Sequence, residues 1–254
     1  MTTSLHAKIA AGGRVTGTWV SIPDIGVVEI LAQAGFDYLL IDGEHAPTPP
    51  AALPPLALAA ERHGCPIIYR VQANRGDLIK AALDVGVDGL MVPLVETPAD
   101  AAAIVEAAKY PPMGRRGFGP WRASNYYLDL PAYADAANER IAIIPQIESA
   151  LAVENAAAIG AVPGIDALFI GPADLCGSLG VPVGAIEPKF ITALEKVIAA
   201  GKKSGCAVGI DAVSLEKFGM FAKMGFTLFT YGSDLGYLAD GGKAAAEQAR
   251  TAKA

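Results

Sequence analysis

The sequence of 254 residues is poor in cysteine and histidine, with three of each, and it has no long apolar run. The cysteines form neither a paired framework nor a C-x-x-C motif, which excludes a disulfide scaffold and indicates a reducing compartment. No stretch approaches the roughly 18 uninterrupted apolar residues of a membrane span, and residues 1–10 lack the apolar region of a signal peptide. These absences predict a cytoplasmic protein without a membrane segment.

Charged residues are also scarce, at 18% of the chain, and acidic residues outnumber basic ones by 26 to 20. The net charge of −6 and the pI of about 5.1 exclude nucleic acid and anionic membranes as main partners, because both select a basic surface. Hydrophobic residues make up 52% of the chain, and the mean hydropathy is +0.37. This composition provides for a large core and excludes intrinsic disorder.

Eight short apolar or β-branched runs alternate with segments of helical periodicity. Most runs are continuously apolar, as expected of parallel strands buried on both faces. Eight βαβ-type units close most economically into a single (β/α)8 barrel domain over 1–254, preceded by an N-terminal helix. An open doubly wound sheet is the alternative, but no G-x-G-x-x-G joins the first strand to its helix. The predicted strands are 17–21, 38–41, 67–71, 89–92, 141–146, 167–170, 206–210 and 228–231. The predicted helices are 25–34, 51–63, 77–84, 99–109, 151–159, 188–203, 214–223 and a last one over 243–252 or from nearer 235.

One segment interrupts this alternation before strand five. Residues 110–140 are rich in proline, glycine, arginine and aromatic residues, and they are too long for an ordinary connection. No linker or low-complexity composition flanks them. They therefore predict an extended loop excursion from the same domain.

Polar residues gather where the predicted strands end. Barrel enzymes carry their chemistry at these C-terminal ends and in the loops that follow. A closed barrel would aim such side chains into one cavity. The residues are Trp19 in strand one, Asp42 and His45 after strand two, Arg70 in strand three, Gln146 and Glu148 at strand five, and Gly171, Pro172, Ala173 and Asp174 after strand six.

Glu148 and Asp174 follow adjacent predicted strands, so their side chains lie within reach of each other. Two carboxylates without a basic neighbour in sequence repel one another unless something neutralises them. A divalent cation such as Mg²⁺ or Mn²⁺ does so, since these ions take a few carboxylates plus water and substrate oxygens. The competing interpretation is that Asp174 only favours a helix N-terminus.

His45 and Arg70 each have two interpretations. His45 is a candidate catalytic base because it follows a buried strand beside acidic residues, although a lone histidine is usually structural. Arg70 is either part of a structural ion pair or a clamp for a carboxylate or oxyanion, which a guanidinium group suits. His6 and His63 lie in helical segments and are expected to face solvent.

Lysine placement argues against one rival mechanism. Schiff-base aldolases need an inward-facing lysine on a barrel strand, and no predicted strand contains a lysine. We therefore expect no imine chemistry, and the missing glycine motif predicts no bound nucleotide.

Six motifs follow one another along the chain. They are A-G-F-D-Y-L-L-I-D-G-E-H-A-P (34–47), R-V-Q-A-N (70–74), I-K-A-A-L-D-V-G-V-D-G (79–89), Y-P-P-M-G-R-R-G (110–117), P-Q-I-E-S (145–149) and F-I-G-P-A-D-L (169–175). With these motifs the chain resembles the HpcH/HpaI family of class II pyruvate aldolases over nearly all of its length. Several ordered motifs are far more specific than any one of them.

The resemblance implies a (β/α)8 barrel, a divalent cation (Mg²⁺, Mn²⁺ or Co²⁺) and a homo-oligomer, often a hexamer built as a trimer of dimers. It implies Glu148 and Asp174 as metal ligands, His45 as the base, and Arg70 as the group that stabilises the enolate and positions pyruvate. Asp84 is implied to raise the basicity of His45, either within the chain or from a neighbouring subunit. The expected substrate-binding residues are Trp19, Gln146, Gly171, Pro172 and Ala173, with Asp42 in support.

The reaction expected from this resemblance is reversible aldol cleavage of a 4-hydroxy-2-oxo acid to pyruvate and an aldehyde, through a metal-stabilised enolate. Decarboxylation of oxaloacetate is one alternative, because it forms the same enolate and should depend less on His45. A barrel that binds oxo acids without catalysis is the other alternative. Cys176 and Gln72-Ala73 depart from the family pattern, but neither departure removes a ligand or the base.

Overall fold

The computed structural model describes residues 4–252, so residues 1–3 and 253–254, the two ends of the expected domain, lie outside the described residues. Eight parallel strands pair in chain order, and the last pairs with the first to close a barrel. The predicted (β/α)8 architecture is therefore confirmed. The strands are β1 (Val15–Val20), β2 (Tyr38–Asp42), β3 (Ile67–Arg70), β4 (Gly89–Val92), β5 (Ala142–Ile147), β6 (Ala167–Ile170), β7 (Ala207–Ala212) and β8 (Leu228–Ser233).

Helices connect successive strands, and several begin at a side chain that caps the first turn. Thr97, Ser149 and Ser214 each accept a hydrogen bond from a backbone N–H of the helix that follows. The helices are α1 (Leu5–Ala10), α2 (Ile25–Gln33), α3 (Leu53–Arg62), α4 (Gly76–Val85), α5 (Pro98–Ala108), α6 (Leu130–Arg140), α7 (Ala150–Gly160), α8 (Pro172–Leu179), α9 (Pro188–Ser204), α10 (Leu215–Met224) and α11 (Asp234–Thr251). Within residues 4–252, no helix is both long and apolar enough to cross a membrane.

The structure contains two helices that the sequence analysis does not predict, α6 and α8. α6 fills the second half of the 110–140 excursion, which is therefore not loop throughout. The ends of the excursion are held together by the ammonium group of Lys109, which donates to the carbonyl oxygens of Asn138 and Ile141. α8 follows β6 directly, with Pro172 in its first turn. α11 begins at Asp234, close to the earlier of the two predicted starts.

The barrel interior is filled by large side chains that face glycines on neighbouring strands. Tyr38 and Phe169 are fully buried there. A Cβ added to Gly17 would lie 2.4 Å from the Tyr38 ring, and one added to Gly209 would lie 2.4 Å from the Phe169 ring. Because side chains alternate along a strand, these inward positions recur at every second residue. Glycine at two of them makes room for two aromatic rings.

Helix α1 closes the end of the barrel where the strands begin. Leu5 and Ile9 of this helix are buried in the same apolar cluster as the barrel interior. His6, which the sequence analysis expects to face solvent, is instead partly buried, and its Nε2 lies 2.9 Å from a carboxylate oxygen of Asp166. That expectation is wrong because His6 follows the buried Leu5 on α1, and its ring reaches the Asp166 carboxylate.

Gly17→Ala is expected to lower the free energy of unfolding by about 1–3 kcal/mol, because the added methyl group overlaps the Tyr38 ring in a closed barrel. Gly219→Ala on α10 is the matched control: a Cβ there meets nothing within 4 Å, and alanine favours a helix interior. Urea unfolding of the two variants measures the difference. Wild-type stability in Gly17→Ala would contradict the packing described for the interior.

The ion pair of α1 is expected to make stability depend on pH. The hydrogen bond to Asp166 raises the pKa of His6 above its ordinary value of 6.5, so the folded protein holds this proton more tightly than the unfolded chain. The stabilisation is complete below pH 6.5 and is lost as the pH rises through the raised pKa of the folded state. His6→Gln should therefore lower the Tm more at pH 5.5 than at pH 8.5. In an Asp166→Asn background this pH dependence should vanish, and its persistence would assign the effect to another group.

Candidate active site

The C-terminal ends of the strands form the mouth of the barrel, where inward-facing polar side chains collect. On β2, Leu40 belongs to the interior cluster and Asp42 follows it by two residues. On β7, Asp211 follows the inward Gly209 by two residues in the same way. Because side chains alternate along a strand, both carboxylates enter the mouth. Trp19, Arg70 and Gln146 hold the corresponding positions on β1, β3 and β5.

Arg70 joins the elements around this mouth. Its Nε and Nη2 donate to Oδ1 and Oδ2 of Asp42 at 2.9 and 2.8 Å, and its Nη1 lies 3.0 Å from Oε2 of Glu44. Asp42 and Arg70 are partners in the ladder between β2 and β3, so the register of the sheet sets up this two-pronged pair. Burial alone would raise the pKa of Asp42, but the hydrogen bonds and charge of Arg70 hold it below its ordinary value. Asp42 is therefore an anion at neutral pH.

Trp19 extends this set of contacts across the mouth. The Arg70 guanidinium lies over the Trp19 ring, with Cζ 4.4 Å from the ring centroid. The indole Nε1 of Trp19 donates to Oδ1 of Asp211 at 2.9 Å, and the Thr230 hydroxyl donates to the same oxygen. Burial raises the pKa of Asp211. Contacts thus run without a break from Asp42 through Arg70 and Trp19 to Asp211.

Glu148 lies buried just after β5. Its Oε1 accepts the backbone N–H of Leu94 at 2.6 Å, and Leu94 has a φ of 54°, a left-handed conformation that directs this N–H toward Glu148. Gly171 leaves the other carboxylate oxygen uncovered, because a Cβ there would lie 2.6 Å from Oε2. Burial, followed by repulsion from Glu44 and Asp174, raises the pKa of Glu148 to about 7.

The donor set at the mouth fits a divalent cation. Among residues 4–252, no three histidine, cysteine or carboxylate side chains converge as a complete metal centre. Glu148 and Asp174 instead offer two carboxylates that repel each other, and the buried Oε1 of Gln146 has no hydrogen-bond partner. Mg²⁺ commonly takes one or two carboxylates and fills its remaining positions with water and substrate oxygens. Glu148 and Asp174 are the residues that could hold such an ion.

His45 lies at the mouth, whereas Asp84 of the same chain does not. The His45 side chain is 65% exposed, and its Nε2 lies 3.8 Å from the Glu44 carboxylate. Asp84 sits near the end of α4, where its carboxylate pairs with the buried Arg116 at 2.7 Å. Within the described part of one chain, no ion pair joins Asp84 to His45. The expected support of His45 by Asp84 would therefore require a second copy of the chain.

The remaining expected substrate-binding residues begin α8. Gly171 is the residue before the helix, and Pro172 and Ala173 form its first turn immediately before Asp174. The first backbone N–H groups of a helix have no intrahelical acceptor, and the helix dipole favours negative charge there. This turn is therefore suited to hold an oxygen of an anionic ligand.

Three residues of the mouth are missing from the sequence-based set of site residues: Glu44, Leu94 and Asp211. Glu44 stands directly before His45, which is its signal in the sequence, and strand alternation could have identified Asp211, two residues after an inward glycine. Leu94 acts through a backbone N–H, and nothing in an apolar side chain indicates its left-handed conformation. Position in the fold, rather than residue type, gives Leu94 its contact with Glu148.

Comparisons with known proteins agree with the sequence motifs. The sequence profile of the HpcH/HpaI aldolase/citrate lyase family matches residues 16–241. A 4-hydroxy-2-oxovalerate aldolase of Novosphingobium aromaticivorans is 43% identical over 208 residues, covering 80% of this chain and 79% of that protein. A 5-keto-4-deoxy-D-glucarate aldolase of Salmonella paratyphi C is 36% identical, covering 91% of this chain and 90% of that protein.

The fold agrees as well. A crystal structure of an HpcH/HpaI aldolase/citrate lyase family protein from Burkholderia cenocepacia J2315 superimposes with a TM-score of 0.92 at 36% identity, covering 98% of this chain and 100% of that one. The matched range includes every residue of the mouth described above. The resemblance seen in the six sequence motifs is confirmed. The chain belongs to the HpcH/HpaI aldolase/citrate lyase family, and it is a lyase of the aldolase type.

Proposed function

We propose that this enzyme reversibly cleaves a 4-hydroxy-2-oxo acid to pyruvate and an aldehyde. The C4 hydroxyl loses its proton, the C3–C4 bond breaks, and its electron pair forms the pyruvate enolate, which then takes a proton at C3. The observation that carries the proposal is the buried Arg70, which faces the carboxylates of Asp42 and Glu44 at the mouth beside Glu148. A relative named for 4-hydroxy-2-oxovalerate, itself a 4-hydroxy-2-oxo acid, supports the substrate class.

Glu148 and Asp174 are the residues that would hold a divalent cation in this reaction, and Mg²⁺, Mn²⁺ and Co²⁺ all accept oxygen ligands. When bound, such a cation supplies Lewis-acid polarisation of the substrate's oxygen atoms. Two contacts orient the Glu148 carboxylate. The Leu94 N–H binds Oε1, and Gly171, which has no side chain, leaves Oε2 accessible.

Arg70 meets the negative charge of the substrate carboxylate and of the enolate as it develops. Three of its five N–H groups are committed to Asp42 and Glu44, which leaves one N–H on each terminal nitrogen for substrate. The paired Asp42 and the Trp19 ring hold the guanidinium plane in place before substrate arrives. Preorganised charge of this kind contributes most where charge builds up in the transition state.

His45 accepts the proton of the C4 hydroxyl during cleavage and returns it during condensation. Its exposed ring is free to reach a substrate at the mouth, and the Glu44 carboxylate stands 3.8 Å from its Nε2. Gln146 and the first turn of α8 at Ala173 bind the substrate's oxygen atoms. The proposal includes a homo-oligomer in which Asp84 of a neighbouring copy supports His45.

Pyruvate release is expected to require a divalent cation and the Glu148 carboxylate. With a panel of 4-hydroxy-2-oxo acids and lactate dehydrogenase as the coupling enzyme, EDTA should abolish turnover, and Mg²⁺, Mn²⁺ or Co²⁺ should restore it. Glu148→Gln keeps the size of the side chain but removes its charge, so it should weaken Mn²⁺ binding measured by calorimetry and lower turnover about 10²–10³-fold. Glu154→Gln, at an exposed ion pair with Lys196, is the matched control.

Two results of this assay would contradict the proposal. Turnover that survives rigorous chelation would exclude the metal-holding role of Glu148 and Asp174. Release of pyruvate from oxaloacetate alone, with no cleavage of any 4-hydroxy-2-oxo acid, would replace the aldolase activity with decarboxylation.

Arg70→Lys is expected to lower kcat/KM for cleavage by about 10²–10³-fold, although it preserves the positive charge. Lysine cannot bind Asp42 through two nitrogens and still face the substrate, because its ammonium is a point charge without the guanidinium fork. Arg75→Lys is the control, since Arg75 pairs with Asp77 at an exposed position five residues after Arg70. Near-normal turnover in Arg70→Lys would assign Arg70 a structural role only.

A further inference from the structure

A cavity of about 130 Å³ lies beside the first turn of α8. Its walls come from the start of α8, the 183–186 segment, the first turn of α9, the end of β7 and the first turns of α10. Pro172 and Ala173 border it on the side of the proposed substrate site, and Val183, Ile186 and Phe190 make much of the rest apolar. A cavity of about 150 Å³ can hold a benzene molecule, so this space suits a fragment of at most about six carbons.

Asp211 is the acidic residue in the lining of this cavity. Its Oδ1 accepts hydrogen bonds from Trp19 Nε1 and the Thr230 hydroxyl, whereas Oδ2 accepts none from residues 4–252. Asp211 is only partly buried, so this oxygen is open to a hydrogen bond from water or from a ligand that enters the cavity. The basic residue in the lining is Lys217. Its ammonium group donates to the carbonyl oxygen of Gly184 at 2.7 Å rather than to Asp211.

The position of Asp211 connects this cavity to the proposed chemistry. It stands at the inward end of β7, and Trp19 links it to the Arg70 guanidinium on the opposite side. On its other side the cavity wall continues to Ala173, next to Asp174. A substrate whose oxo-acid end occupies Arg70 and Asp174 would therefore direct its other end toward Asp211.

We propose, on the basis of the proposed aldolase function, that Asp211 is a specificity-determining residue whose Oδ2 accepts a hydrogen bond from a hydroxyl group of the aldehyde. The enzyme then selects short, uncharged hydroxyaldehydes. Alkyl aldehydes of the same length leave Oδ2 without a donor, and aldehydes that carry a carboxylate are repelled by Asp211. Sites built to bind a hydroxyl group discriminate strongly against analogues that lack it, because a buried polar group is left unpaired.

The test is condensation of pyruvate with glyceraldehyde, propionaldehyde or succinic semialdehyde, which differ in hydroxyl groups and charge. Wild type is compared with Asp211→Leu, Asp211→Asn and the cavity control Lys217→Met. The measured quantity is the ratio of kcat/KM values for two aldehydes, so the intrinsic reactivity of each aldehyde cancels between variants. Thermal unfolding of each variant reports on the fold.

Asp211→Leu should lower the ratio of glyceraldehyde to propionaldehyde at least 10-fold, and Lys217→Met should leave it unchanged. Asp211→Asn keeps an oxygen acceptor for Trp19 and Thr230, so it tests the charge even if the leucine variant does not fold. It should raise kcat/KM for succinic semialdehyde relative to propionaldehyde about 10-fold, because the repelling charge is gone.

Three outcomes would overturn the assignment. Equal losses with glyceraldehyde and propionaldehyde would make Asp211 a structural support for Trp19. An unchanged ratio in every Asp211 variant would place the aldehyde elsewhere. A wild-type preference for succinic semialdehyde that Lys217→Met abolishes would make Lys217 the selecting group. Absence of condensation and cleavage with every substrate would instead overturn the proposed function itself.

Discussion

The paired hydrogen bonds between Arg70 and Asp42 organise the mouth of the barrel. The two residues are partners across β2 and β3, so closing the sheet is sufficient to bring them together. Oδ1 of Asp42 also accepts the backbone N–H groups of Glu44 and His45, which sets the loop that carries both side chains. Through Nη1 and the guanidinium face, Arg70 then fixes Glu44 and Trp19. Loss of this one pair would disturb β2, β3, the loop that carries Glu44 and His45, and the Trp19 ring on β1.

Negative charge exceeds positive charge at the mouth of the barrel. Asp42 and Glu44 already share the charge of Arg70. Within residues 4–252 Glu148 forms no salt bridge, and the Leu94 N–H holds its Oε1. Burial then drives the pKa of Glu148 to about 7. A cation that enters the mouth would stabilise the ionised form of this buried carboxylate. Enolate chemistry that uses a cation needs a carboxylate of this kind to hold the ion.

The sequence predicts the barrel well because eight apolar runs at regular spacing have few other solutions. Residues that act through their own side chain at a strand end, such as Arg70 and Glu148, are equally visible. Asp211 is less visible, because the predicted seventh strand ends at residue 210, whereas β7 extends to Ala212. Leu94 has no side-chain signal, and α6 lies in a segment whose prolines and glycines obscure its helical half. The contact made by Leu94 and the helix α6 depend on how the chain packs in three dimensions, which residue composition does not reveal.

Glycines determine where the barrel is solid and where it is open. At the lower levels, Gly17 and Gly209 admit the rings of Tyr38 and Phe169, and α1 closes the end with Leu5 and Ile9. At the mouth, Gly171 makes room for a carboxylate oxygen instead of a ring. The apolar levels therefore supply stability without touching the reacting atoms. Asp211 on β7 and Arg70 on β3 stand on different strands, and the Trp19 ring is the contact that joins them.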